Sequence, residues 1–172
     1  QLMEPDILSI VVECFSTNWD SELRLNAIWI ATNLCSASDK TVTTLLELRL
    51  PELLGSGSGS GSGRGRGIVD MVWPILLEND GELITQACWL LGNIAGDSVS
   101  SRDILLHEAV PFAICVAVER GLFSGDHTEM LRVASWTLAN LCRGKPRPNE
   151  QLVEVAGSTL VTLTNYDDTE IK

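Results

Sequence analysis

Apolar residues in this chain recur at helical spacing in most stretches long enough to show a period. Ile7, Leu8, Ile10, Val11, Val12 and Phe15 follow Pro5 and Asp6, and proline in the first turn is a helix-start signal. Residues 16–18 break that run. A second helix is predicted from Ser21 and Glu22, carrying Leu23, Leu25, Ala27, Ile28, Trp29, Ile30 and Leu34. A third stretch over 40–54 holds Leu45, Leu46, Leu48 and Leu50 and is interrupted at Pro51, which kinks or ends a helix. The pattern restarts with a helix over 68–77, bent at Pro74, and a turn at Asp80 and Gly81. A long helix over 83–95 follows, with Gly96 expected as a left-handed stop. Short helices over 101–107 and 110–118, a loop over 121–127, a long helix over 129–142 and a last one over 150–163 complete the pattern.

Three of these helices share one signature: WIATN at 29–33, WLLGN at 89–93 and WTLAN at 136–140. Each places tryptophan and asparagine four residues apart, which stacks them on one helix face. Similar endings follow, at Leu34-Cys35, Ile94-Ala95 and Leu141-Cys142. The tryptophans are 60 and 47 residues apart. The longer spacing contains a thirteen-residue Gly/Ser/Arg run at 55–67, and removing it leaves 47 again. A helical period in the forties predicts an armadillo or HEAT solenoid.

The run itself, GSGSGSGSGRGRG, offers nothing to bury, and its strict alternation favours an inserted flexible linker over a natural low-complexity segment. The expected organisation is one repeat plus the start of the next over 1–54, the linker over 55–67, and two further repeats plus the start of a fourth over 68–172. Because both ends cut into repeats, the expectation is an all-α, right-handed superhelical solenoid of about three to four repeats, a fragment of a longer array.

Composition narrows the partner. The chain has 172 residues, 45% of them hydrophobic, enough for a folded core. A formal charge of −11 disfavours nucleic acid and favours a basic peptide or protein. Five cysteines with no CxxC pair fit a reduced intracellular protein. No apolar run is long enough to cross a membrane, and no signal peptide is evident. His107 and His127 stand apart from each other and from cysteines at metal spacing. No nucleophile or phosphate-loop motif is present, so no cofactor, metal or enzymatic activity is expected.

A ladder of indoles suits an extended chain. Neighbouring helices pack about 8–10 Å apart and an extended peptide rises about 3.3 Å per residue, so every second or third side chain can enter a slot between indoles. A lysine or arginine stem there gains apolar and cation–π contact of about 0.5–2 kcal/mol. Asparagine at the fourth position beyond can both donate to and accept from a peptide unit, and Asp97, just past Asn93, can hold an ammonium. Trp19 and Trp73 lack the partner asparagine and read as surface or core residues.

At these residues the chain resembles the importin-α family. The stretches at 86–98 (QACWLLGNIAGDS) and 134–148 (ASWTLANLCRGKPRP) resemble the family's second and third groove repeats, and 25–37 (LNAIWIATNLCSA) resembles the repeat before them. The resemblance implies a nuclear import adaptor whose major site for nuclear localisation signals comprises Trp29, Asn33, Gln86, Trp89, Asn93, Asp97, Trp136 and Asn140. It implies residence in cytoplasm and nucleus. It also implies basic cargo proteins as partners, with importin-β expected for a full-length protein although its basic binding segment is not seen here. The chain departs from the family where Ala37 and Val42 replace an expected glycine and threonine, and where Val133 replaces an expected polar residue. Asn26 stands at the position equivalent to Gln86. A scaffold or chaperone using the same groove for a ribosomal protein or histone is the alternative.

Overall fold

The computed structural model describes residues 4–50, 67–124, 127–168 and 171. Most of the Gly/Ser/Arg run, and Pro51 before it, lie outside these. Among the described residues nine helices form and no strand. They are α1 (Glu4–Glu13), α2 (Ser21–Ala37), α3 (Asp39–Glu47), α4 (Ile68–Leu76), α5 (Gly81–Asp97), α6 (Val99–His107), α7 (Val110–Ser124), α8 (Thr128–Cys142) and α9 (Glu150–Leu163).

Short polar side chains set the helix starts. Asp20, one residue before the predicted start, caps α2 by accepting from the Leu23 amide at 3.0 Å. Asp80 accepts from the Glu82 and Leu83 amides at the head of α5, and Asn149 caps α9. Pro74 lies within α4, as its sequence position predicts.

Two glycines expected to interrupt helices do not. Gly96 stays helical, and α5 ends at Asp97 because Ser98 turns extended and caps α6 through its hydroxyl. Gly121 lies inside α7, which runs beyond the predicted end at 118. A Cβ on Gly121 would come within 2.3 Å of Met130 Cε, so this glycine permits close approach to α8 rather than ending a helix. α8 stops where Arg143 turns extended, and Gly144 follows at φ +116°, a conformation that favours glycine.

The three signature helices α2, α5 and α8 stack side by side, with α5 packed extensively on both neighbours. Behind them α1, α4, α7 and α9 form a second layer, each packing on the next. One continuous apolar core fills the space between, from Leu8, Val12 and Phe15 through Ile28, Val72, Leu90 and Ile94 to Ile114, Leu138 and Leu163. This is an armadillo-type stack in which each repeat buries its apolar faces against its neighbours.

Arginines join the repeats, Arg24 and Arg102 from buried positions and Arg120 from a half-buried one. The Arg24 guanidinium donates to Phe15 O at 3.2 Å and forms a fork with the Glu78 carboxylate of the next repeat. Arg120 donates to Leu77 O and Glu78 O, both at 2.7 Å. Arg102 donates to Arg143 O and Pro146 O at 2.9 and 3.0 Å.

Candidate peptide-binding groove

On the outer face of the α2–α5–α8 layer the three signature tryptophans stand in the same helical position and remain exposed, Trp29 at 57%, Trp89 at 45% and Trp136 at 40%. The indole of Trp136 lies across the backbone of α5: a Cβ on Gly92 would fall 2.1 Å from Cζ3. The equivalent position on α2 is Thr32, which is buried. Trp19 is exposed and Trp73 packs partly against the core, as expected for residues outside the ladder.

The asparagines reveal an arrangement that sequence spacing does not show. Asn140 Nδ2 donates to Gly92 O at 2.9 Å, one repeat earlier. Asn93 Nδ2 does the same to Thr32 O at 3.3 Å and also to Ser36 Oγ at 2.8 Å. Asn33 donates to Trp29 O of its own helix. The amide nitrogens of Asn93 and Asn140 therefore bind adjacent helices together, and Thr137 Oγ1, donating to Cys88 O at 2.8 Å, adds a parallel tie. Asn140 is only 2% exposed, and its Oδ1 has no hydrogen-bond partner. Gln86 Oε1 is likewise buried and unpartnered, beside Trp89. Both oxygens are closed off from solvent in this arrangement.

Clefts run between the helices. Trp89 and Trp136, with Glu129, Arg132 and Val133, line a cleft of about 330 Å³. It adjoins a second one lined by Gly81, Glu82, Thr85, Gln86, His127 and Met130. At the far end of the same helix pair, Gly96, Asp97, Arg102, Asn140 and Arg143 surround a third. Between α2 and α5 a cleft is lined by Glu22, Asp80 and Glu82 together with Ser21, Leu25 and Leu83.

Asp97 sits at the end of α5 and accepts from Ser101 Oγ at 2.9 Å. Its charge reaches the first repeat: burial, then the Asp97 carboxylate, push the Cys35 thiol up to about 12. Burial alone does the same to Cys88. These thiols stay neutral near pH 7 and act as small apolar groups. Ala37 is exposed, whereas Val42 is fully buried and Thr41 nearly so. Among the described residues no group of three or more His, Cys, Asp or Glu could hold a metal ion, and no helix there is long and apolar enough to cross a membrane.

The stacked helix triplets and their exposed indole row define an armadillo-repeat solenoid. Solved structures share this fold over 95% of the chain. One is a designed armadillo repeat protein in complex with the peptide (KR)4 (TM-score 0.70, 20% identity, 59% of that chain). Another comes from a set of computationally designed armadillo repeat proteins for modular peptide recognition (TM-score 0.72, 19% identity, 59% of that chain). The curated relatives are importin α subunits, and the chain is similar to them over most of its length. Importin subunit alpha-1b of Oryza sativa subsp. japonica is 30% identical over 152 residues, covering 87% of this chain and 24% of the relative. Importin subunit alpha-6 of Arabidopsis thaliana is 28% identical over 172 residues, covering 99% and 28%. The probable importin subunit alpha-A of Dictyostelium discoideum is 27% identical over 162 residues, covering 89% and 26%. The chain thus spans about a quarter of the length of these relatives. No family model matches it. None of these relatives is named for an enzymatic activity.

Proposed function

We propose that this chain binds an extended lysine- and arginine-rich segment across α2, α5 and α8, as the cargo-binding part of a nuclear import adaptor whose ligands are nuclear localisation signals. The observation that carries this reading is the row of three exposed indoles on consecutive helices. Leaving so much aromatic surface in water is unfavourable unless a ligand covers it. In this reading Trp29, Trp89 and Trp136 flank basic side-chain stems. Asn33, Asn93, Asn140 and Gln86 serve the ligand main chain. Asp97 receives an ammonium group. The net charge of −11 draws a basic segment in. Arg24, Arg102 and Arg120 repel it little, because they are tied to carbonyls and carboxylates between repeats. The whole protein would move between cytoplasm and nucleus, with basic cargo proteins and importin-β as partners.

The test is titration of a fluorescent PKKKRKV peptide at two salt concentrations into the protein and an Asn93→Ala, Asp97→Ala double variant. The expected result is micromolar or tighter binding that weakens several-fold as salt rises and is lost in the variant. Absence of binding, or equal binding by both proteins, would overturn the reading.

A further inference from the structure

Cations are scarce on this chain, and most are engaged within it. Arg24, Arg49, Arg102, Arg120, Arg132 and Lys40 all have partners. Among the described lysines and arginines, Arg143, Lys145 and Arg147 are those whose side chains make no hydrogen bond or ion pair, and all three are exposed. They stand at alternate positions of one loop directly after α8. That loop is held in place: Arg102 Nη1 donates to Arg143 O and Pro146 O at 2.9 and 3.0 Å, and Pro148 is buried. Arg143 also lines the cleft at the ends of α5 and α8, and Asp97 lines the same cleft from the α5 side. The two make no ion pair with each other, since Asp97 accepts from Ser101 Oγ and Arg143 donates to nothing. One cleft thus offers a carboxylate and a guanidinium to different parts of a ligand.

Resting on the peptide-binding reading above, we infer that the loop bearing Arg143, Lys145 and Arg147 is an anion-binding surface that receives acidic residues flanking the basic segment of the ligand. Arg143 follows Trp136 by two helical turns, about 10 Å along α8, a distance that about three extended ligand residues span. The basic segment meets the indoles and Asp97, and aspartates or glutamates beyond its end meet the loop. Three like charges held this close together favour an anion that comes among them. A free polyanion is disfavoured by the net charge of −11, so the anion arrives joined to the basic segment that the same charge attracts. The preferred ligand is a segment of mixed charge, basic and then acidic, not one that is uniformly basic.

The experiment titrates four peptides, PKKKRKV extended by three alanines or by three glutamates at its N-terminus or at its C-terminus. The proteins are wild type, an Arg143→Gln, Lys145→Gln, Arg147→Gln triple variant, and Lys40→Gln as a control for general charge, with thermal melts to confirm folding. In wild type, glutamates at one end tighten binding relative to alanines by about threefold or more, the scale of one or two exposed charge pairs. Glutamates at the other end weaken it. The triple variant loses the tightening and weakens at both ends, whereas Lys40→Gln keeps it. If the triple variant fails to fold, Arg147→Gln decides alone, by reducing the tightening or leaving it unchanged. Weakening at both ends in wild type, a tightening that survives in the loop variant, or an equal loss in Lys40→Gln overturns the inference while leaving peptide binding intact. No binding by any peptide overturns both.

Discussion

The cleft between α2 and α5 and the clefts between α5 and α8 share α5 and differ in chemistry. The α2–α5 cleft is rimmed by Glu22, Asp80 and Glu82, and the Asp97 charge is felt at Cys35 near its other end. The α5–α8 clefts mix charges, with Glu129, Arg132 and Val133 beside the indoles and Asp97, Arg102 and Arg143 around the cleft at the far end. The backbone contact also differs, since Trp136 rests on Gly92 while α2 presents Thr32 at that position. The helix ladder sets where the clefts lie, and the side chains at the helix starts and ends set their charge.

Trp89 is the middle indole of the row and lines two adjoining clefts between α5 and α8, so Trp89→Ala should cost most. Loss of contact on two sides corresponds to about 2 kcal/mol or more, roughly thirtyfold in Kd for PKKKRKV, against less for Trp29→Ala, as titration would show. An equal effect of the two would remove the distinction between inner and outer walls.

Gly92→Ala separates packing from propensity. Helix propensity alone makes alanine more favourable by about 1 kcal/mol. A Cβ 2.1 Å from the Trp136 ring instead predicts a net loss of about 1–3 kcal/mol in denaturant melts. Thr32→Ala at the matching position of α2 should cost less, since the Thr32 hydroxyl bonds only to Ile28 O of its own helix. A stabilised Gly92→Ala would mean that Trp136 does not rest on α5.

Asn140→Ala removes the tie to Gly92 O and should cost about 1–2 kcal/mol of stability. Asn33→Ala, which loses only a bond within its own helix, should sit near zero.

The smallest effect concerns the thiols. Cys35 and Cys88 have folded-state values raised to about 12. Burial of the neutral thiol therefore contributes stability that is full below about pH 9 and is lost as pH rises toward 12. Cys88→Ala should show a shallower fall in Tm between pH 8 and pH 10.5 than wild type. Alkylation of the native protein should reach the half-buried Cys14 and Cys142 well before Cys88.

Much of this was legible in the sequence because period is a local signal. The Trp/Asn pairs located α2, α5 and α8, and the glycine run could be subtracted before the period was read. Glycine was ambiguous, since close packing and a positive φ use the same residue: Gly96 and Gly121 pack, and Gly144 takes φ +116° beyond α8. The asparagine ties were invisible because Asn140 and Gly92 are 48 residues apart and only the stacking register brings them together. The Arg24–Glu78 fork spans 54 residues and was hidden for the same reason. Arg132 carried a usable signal, a cation one turn before Trp136 where the other two repeats place Leu25 and Thr85. Its pairing with Asp168 spans 36 residues, and only the fold brings the two together.

The most direct measurement of the central claim follows the five indole N–H resonances by NMR, assigned through single Trp→Phe variants, as PKKKRKV is added. A peptide lying across the groove predicts saturable shifts for Trp29, Trp89 and Trp136 with one common Kd, while Trp19 and Trp73 stay in place. Shifts confined to Trp19 or Trp73, or none at any of the five, would contradict it.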